Sequence, residues 1–194
     1  MRSDARSNRL RILEAATELL ASPGAPTLQS VARRAGVGQG TLYRHFPTRE
    51  ALVLQVYGEE VEGLVSAVPV LLDALPPQRA LRAWLERLSN IGRGMPGFAD
   101  AVDAAGSLSP GRRGEAYGPL LDALSALVSA NEAAGTIAPG TSADDVLLLL
   151  KPLWQVLAHS EDRSPEHHLF ETIMRKLWPG QSDAVSRSRL PRKG

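Results

Sequence analysis

Apolar residues recur three and four positions apart along almost the whole of this 194-residue chain. That spacing places them on one face of an α-helix, and no stretch shows the polar and β-branched alternation that indicates a β-strand. Glycine and proline clusters separate the periodic stretches, as helix ends require. The pattern therefore predicts an all-α fold.

The N-terminal quarter of the chain divides into four predicted helices. The first runs from about Ser7 to Ala21 and stops at Ser22-Pro23-Gly24. Two short helices follow between Thr27 and Phe46, on either side of a glycine turn. A fourth begins near Thr48 and is expected to continue to about Gly63, joining two domains.

The first short helix shows both a start and a stop signal. Leu28, Val31 and Ala32 share one helical face, and Thr27 stands before them as an N-cap candidate. Ala35-Gly36-Val37 then offers a small residue, a glycine able to take positive φ, and an apolar residue to pack beneath. A tight turn between two helices is the expected result.

The second short helix separates apolar from polar side chains. Leu42 and Phe46 lie four apart and are predicted to face the core. The other positions are Gln39, Gly40, Thr41, Tyr43, Arg44 and His45. Glutamine and arginine can bond base edges, the threonine methyl can pack on thymine, and tyrosine, histidine and arginine can donate to phosphate. This face suits DNA, although helix-turn-helix pairs also occur in all-α proteins without a DNA role.

The segment 37–52, VGQGTLYRHFPTREAL, resembles the recognition helix and the start of the fourth helix in the TetR family of bacterial ligand-responsive repressors. The resemblance extends over roughly residues 8–57. It implies an N-terminal three-helix DNA-binding domain, a C-terminal helical ligand-binding and dimerisation domain, and a homodimer released from DNA by a small molecule.

The resemblance also implies roles for individual residues. Gln39, Gly40, Thr41 and Tyr43 would face the major groove. Phosphate contacts would come from Thr27, Tyr43, His45 and Arg49. The family usually has lysine at the position of Arg49, and arginine keeps the charge while changing the geometry.

Charge is distributed unevenly along the chain. Residues 1–49 hold eight arginines and three acids, a net charge of +5, and the remainder carries −4 within the formal total of +1. A basic module on a mildly acidic body is expected when one end of a protein approaches phosphates. Arg2 and Arg6 are interpreted as a solvated helix face, and the roles of Arg9 and Arg11 stay open.

The rest of the chain predicts a helical second domain, residues 51–180, behind a DNA-binding domain at 7–50. A kink or break is expected at Pro69, and Ser107–Gly114 has the composition of a loop. Residues 181–194 have the composition of a disordered basic tail.

The segment VLLLLKPLWQVLAH (146–159) is apolar nearly all round. This exceeds what one internal face needs, so a four-helix bundle across a two-fold axis is predicted. The alternative is a central helix buried within one subunit. The predicted dimer residues are Leu120, Leu124, Leu127, Val128, Leu149, Leu150, Leu153 and Leu157.

A small-molecule effector is expected in the second domain, in a mostly apolar pocket. The candidate lining is Trp84, Leu88, Met95, Phe98, Tyr117, Leu121 and Trp154. Asp100, Asp103 and His159 are candidate polar groups, and plain core packing is the alternative for the apolar ones. In the family mechanism the ligand shifts the fourth helix, where Gly58 and Gly63 are candidate soft points.

Other classes of protein find little support. The chain has no cysteine, which excludes disulfides, thiolate catalysis and zinc fingers. No secretory signal, membrane-length apolar run, HExxH motif or glycine-rich phosphate loop occurs, so a cytoplasmic protein without metal or cofactor is expected. With the other classes unsupported, the resemblance to the TetR family implies a homodimeric repressor that binds a palindromic operator. A helical ligand-binding dimer without DNA binding, or a small all-α enzyme, is the alternative.

Overall fold

The computed structural model describes residues 2–22, 24, 26–107, 117–157 and 164–178. Within these ranges the chain forms helices and no strand, which confirms the predicted all-α fold. The ten helices of the described residues are α1 (Arg2–Leu20), α2 (Leu28–Ala35), α3 (Gln39–His45), α4 (Arg49–Val56), α5 (Gly58–Ala74), α6 (Pro77–Gly94), α7 (Phe98–Gly106), α8 (Tyr117–Ala133), α9 (Ala143–Leu157) and α10 (Ser164–Leu177).

Helices α1, α2 and α3 form a small head around their own apolar core. Ile12 of α1 and Leu42 of α3 are completely buried there, with Val31 of α2 and Phe46 packed beside them. Leu52 of α4 completes this cluster. The head core therefore forms on the residues whose spacing predicted it.

Helices α5 to α10 form the body, whose core is larger. Trp84, Leu88 and Phe98 are among its fully buried side chains. Helix α4 serves both clusters, because Leu52 packs into the head while Val53 and Leu54 pack into the body. The domain limits at residues 50 and 180 stay predictions, and residues 181–194 and His159 lie outside the described residues.

Two helix boundaries differ from those expected. Helix α1 begins at Arg2 instead of about Ser7, because no helix breaker precedes Ser7 and Asp4 favours the positive end of the helix. The predicted fourth helix is in fact two helices, α4 and α5, that meet at Tyr57 (φ −93°, ψ 33°). Gly58 begins α5, which suits its low helix propensity.

Of the kink or break expected at Pro69, the break does not occur, and the kink stays a prediction. Helix α5 continues through this residue, and Pro152 lies inside α9 in the same way. Proline removes one backbone hydrogen bond from a helix. Both prolines are exposed, so water can reach the carbonyl that each one leaves unpaired. Among the described helices, none is long and apolar enough to cross a membrane.

Candidate nucleic-acid interface

The start of α2 is fixed by two reciprocal hydrogen bonds. The Ser30 backbone N–H donates to Thr27 Oγ1 at 3.1 Å, and the Thr27 N–H donates to Ser30 Oγ at 3.1 Å. This capping box satisfies two free N–H groups of the first turn. The predicted N-cap role of Thr27 is confirmed, and its exposed hydroxyl can still donate its own proton.

The turn between α2 and α3 depends on Gly36. Its φ is +64°, in the left-handed region where a side chain is strained, and it caps the C-terminus of α2. The Val37 N–H donates to the Ala32 carbonyl at 3.0 Å, which closes the turn. The glycine turn predicted at this point is therefore confirmed.

Helix α3 turns its apolar side chains inward and its polar ones outward. Leu42 is fully buried and Phe46, at its C-cap, is 3% exposed. Gln39, Gly40 and Arg44 are exposed, while Thr41 and His45 are half-buried. Tyr43 is 51% exposed, so about half of its surface is accessible on the outer side of α3.

Arg44 lies along its own helix. Its Nε donates to the Gly40 carbonyl at 3.1 Å, and its Nη2 donates to Thr41 Oγ1 at 3.2 Å. These bonds hold the guanidinium beside Gly40 on the exposed surface. The remaining N–H groups of Arg44 are free to contact a base or a phosphate.

The structure separates the two arginines whose roles were open. Arg11 donates through Nη2 to the Gly36 carbonyl and to Asn8 Oδ1, each at 3.2 Å, so it supports the turn. The Arg9 guanidinium carbon lies 5.5 Å from the centre of the Phe46 ring, a cation–π contact. Within the described residues no acceptor contacts Arg9, so a positive charge is held at the C-terminal end of α3. Its aromatic partner is 37 positions away in the sequence, and local pattern could not reveal it.

Arg49 is held by contacts within the protein, and its predicted phosphate contact stays a prediction. Its side chain is half-buried, and its Nε donates to the Pro26 carbonyl at 3.0 Å. Its Nη2 lies 3.2 Å from the point where a Cβ on Gly97 would stand. Arg34 is also engaged, in an ion pair of 2.5 Å with Glu18. Of the arginines in the head, Arg9 and Arg44 are thus held beside the exposed face of α3.

The predicted effector residues lie in or against the core of the body. Trp84, Leu88, Phe98 and Tyr117 are fully buried, Trp154 is nearly so, and Met95 and Leu121 are half-buried. The Trp84 indole N–H donates to the Leu64 carbonyl at 2.9 Å. Of the candidate polar groups, Asp100 is exposed, and Asp103 pairs with Lys151 at 2.9 Å.

An open cleft of about 380 Å³ lies instead between α6 and α10. Its lining residues are Glu86, Ser89, Asn90, Arg93, His167, Phe170 and Glu171, none of which the sequence pattern predicted as a site. A second cleft, of about 250 Å³, includes Tyr117 and Asp103. The apolar pocket stays a prediction. No group of three metal-ligating side chains occurs in the part of the chain that the structure describes.

Most of the predicted dimer residues are buried within one chain. These are Leu120, Leu124, Leu127, Val128, Leu150 and Leu153. Leu149 is half-buried, and the side chain of Leu157 lies outside the described residues. Their burial favours the alternative of central helices within one subunit for these positions. Leu148, by contrast, is 65% exposed on α9. Where a second copy docks stays a prediction.

Comparison with known proteins places this arrangement in a family. Residues 12–56 match the family described as bacterial regulatory proteins, tetR family. An HTH-type transcriptional regulator of Staphylococcus aureus is 38% identical over 68 residues, which are 34% of this chain and 37% of that protein. The chain thus spans little more than a third of the length of the curated relatives it matches.

Solved structures extend the similarity to the body. A TetR transcriptional regulator from Streptomyces coelicolor is 36% identical, with a TM-score of 0.54 over 89% of this chain and 99% of that one. FadR of Thermus thermophilus, a TetR family repressor in complex with lauroyl-CoA, is 22% identical, with a TM-score of 0.58 over 96% of this chain and 97% of that one. The second similarity shows the fold alone. The identity to the S. coelicolor protein over nearly its full length shows more: the chain belongs to the TetR family and is a transcription regulator.

Proposed function

We propose that this regulator is a repressor that binds a palindromic DNA operator as a homodimer and is released from it by a small molecule. The exposed polar face of α3 carries the proposal. Leu42 and Phe46 anchor this helix in the head core, and the capping box and Gly36 fix its neighbour α2. A rigidly supported helix with this surface can enter a major groove.

The groups on that face divide between base contacts and phosphate contacts. Gln39, Gly40, Thr41 and Tyr43 are proposed to face the base pairs, since side chains on the exposed side of a groove-bound helix reach base edges. Thr27, His45 and Arg44 are proposed to reach the backbone. Arg9 is added to them, because the Phe46 ring holds its unpaired guanidinium beside the end of α3.

A homodimer explains the exposed apolar surface of α9. Leu148 is 65% exposed and Pro152 is exposed on the same helix. On the neighbouring α8, the exposed side carries Ser125, Ala126 and Ser129, which are small enough for close helix approach. A two-fold pairing of such helices would place the two α3 helices in successive major grooves, about 34 Å apart.

Release by a small molecule requires a path from the body to the head, and α4 is proposed to provide it. Helix α4 packs on α7 in the body and on α1 in the head, and its apolar residues enter both cores. The T. thermophilus FadR structure holds lauroyl-CoA, which is consistent with an effector in the body of this chain. The cleft between α6 and α10 is a second candidate site for it.

The proposal is tested by selecting bound sequences from a random DNA pool with the purified protein. Recovery of an inverted repeat is expected, because a two-fold dimer reads the same half-site twice. A pool that stays unenriched after repeated rounds would contradict DNA recognition by α3. Enrichment of a single, unrepeated site would retain DNA binding and contradict the dimer.

A further inference from the structure

The turn between α6 and α7, residues 95–97, contacts both ends of α4. At the C-terminal end, the Tyr57 hydroxyl donates to the Pro96 carbonyl at 3.1 Å, and its ring meets Phe98 edge-on with 6.0 Å between centroids. Burial, with Glu60 nearby, raises the pKa of Tyr57, so the hydroxyl keeps the proton that it donates. At the N-terminal end, Arg49 lies against Gly97.

The contact between Arg49 and Gly97 is close because Gly97 has no side chain. A Cβ there would stand 3.2 Å from Arg49 Nη2 and 3.6 Å from Leu20 Cδ2. Gly97 also has a φ of +77°, a conformation that other residues adopt only with strain. The guanidinium is therefore packed against the backbone of the turn.

A second nitrogen of the same Arg49 guanidinium faces the head. Its Nε donates at 3.0 Å to the carbonyl of Pro26, the residue directly before the N-cap Thr27. Arginine is also the first residue of α4, where the positive end of the helix dipole disfavours a cation. The Pro26 carbonyl offsets this cost. The contacts of its side chain with Pro26 and Gly97 thus explain why an arginine stands at position 49.

We propose that Arg49 is a positioning residue that ties the start of α2 to the α6–α7 turn, so that a displacement of the turn moves Thr27 relative to the DNA backbone. The part of this inference that concerns DNA rests on the proposed function. It gives Arg49 a role different from the phosphate contact that the family resemblance implied.

Salt dependence distinguishes a positioning residue from a phosphate ligand. The slope of log affinity against log salt is negative, and removing one phosphate ligand makes it shallower by about 0.9. Removing the ligand from both subunits of a dimer makes it shallower by about 1.8. Arg49→Gln should lower operator affinity by about tenfold with the slope unchanged. Arg9→Gln is the matched control, because it removes one charge from the head without touching Pro26 or Gly97, and the salt dependence of its operator affinity should become shallower. A salt dependence that becomes equally shallow in Arg49→Gln would overturn the proposal.

Hydrogen exchange tests the same role without DNA. The Ser30 and Val31 amides are bonded to Thr27, at 3.1 Å each. We expect the exchange rate of these two amides to rise about tenfold in Arg49→Gln and by less than that in Arg49→Lys. In Arg9→Gln the rate should stay unchanged. Wild-type protection in Arg49→Gln would contradict the proposal. If the protein binds no DNA, the proposed function fails while this result still decides the role of Arg49.

A third variant tests the link to the turn. Tyr57→Phe removes the hydrogen bond to Pro96 and leaves the ring in place. Exchange at Ser30 and Val31 should rise about two- to threefold in Tyr57→Phe and show no further rise when Tyr57→Phe is added to Arg49→Gln. Strictly additive effects would show that the turn does not act through Arg49.

Discussion

The arginines of the head differ in what holds their guanidinium groups, and this decides what each can do. Arg11 and Arg34 are engaged with Gly36 and Glu18, while Arg9 is held over Phe46 with no acceptor among the described residues. Sequence reasoning could count these charges but could not tell them apart, because each partner comes from another helix. Within the described residues, the contacts leave the charge of Arg9, like that of Arg44, available for the proposed contact with DNA.

Arg9→Gln should weaken binding to every DNA sequence alike. Its charge is proposed to contact phosphate, which carries no direct sequence information. Titration of several duplexes at two salt concentrations checks this. A loss confined to one sequence would contradict the phosphate role.

Gln39→Ala should instead relax base preference. A good bidentate contact from glutamine discriminates against the wrong base by about 1 to 3 kcal/mol, so preference at one position of each half-site should fall by about tenfold or more. The comparison of selected sites for wild type and variant measures it. An unchanged base preference with uniformly weaker binding would show that Gln39 contacts the DNA backbone instead of a base.

At the scale of helices, the caps could be predicted and the break at Tyr57 could not. Thr27 and Gly36 act through their immediate neighbours, so sequence spacing was enough to place them. Tyr57 ends α4 where its hydroxyl bonds Pro96, 39 positions along the chain. A contact of that range is set by the packing of α4 on α7, which local periodicity does not contain.

Gly36→Ala should destabilise the head by more than about 1 kcal/mol, because the native φ of +64° is strained for alanine. Gly38→Ala is the matched control, with a φ of −67° and open space around its Cβ position. Chemical denaturation of both variants measures the difference. Equal stability in the two would show that the turn tolerates a side chain.

The ion pair between α6 and α10 makes a pH-dependent contribution to stability. Arg82 holds the pKa of Glu171 below its ordinary value of 4.5, mainly through the hydrogen bond that it donates and to a smaller extent through its positive charge. A carboxyl whose pKa is lower in the folded state stabilises the folded protein at pH values above its unfolded pKa. This stabilisation is lost as the pH falls through the folded pKa. The stability difference between wild type and Glu171→Gln should therefore be present at neutral pH and be lost as the pH falls below 4.5 and through the lower, folded pKa of Glu171. A difference that persists in acid would contradict the ion pair.

At the scale of the whole molecule, a basic head and a large helical body share α4, and two copies are proposed to pair through α8 and α9. The hydrophobic pattern predicted both the helices and an excess of apolar surface on α9. It could not distinguish residues buried in one chain from those left for a partner, since Leu147 and Leu148 are alike in sequence while only Leu148 is exposed. Burial in the folded chain makes that distinction.

Leu148→Glu should shift the protein from dimer to monomer, because a charge placed in an apolar interface loses its hydration. Val70→Glu is the control, since Val70 on α5 is 67% exposed and lies outside the proposed interface. Sedimentation velocity at several concentrations measures both. A dimer that survives Leu148→Glu and dissociates with Val70→Glu would move the interface to α5.

The affinity of the wild-type protein for its selected duplex, compared with a scrambled duplex of equal length, tests the central claim most directly. We expect the selected duplex to bind about a thousandfold or more tightly at physiological salt, with both affinities falling steeply as salt rises. Equal affinity for the two duplexes would contradict sequence recognition by the exposed face of α3.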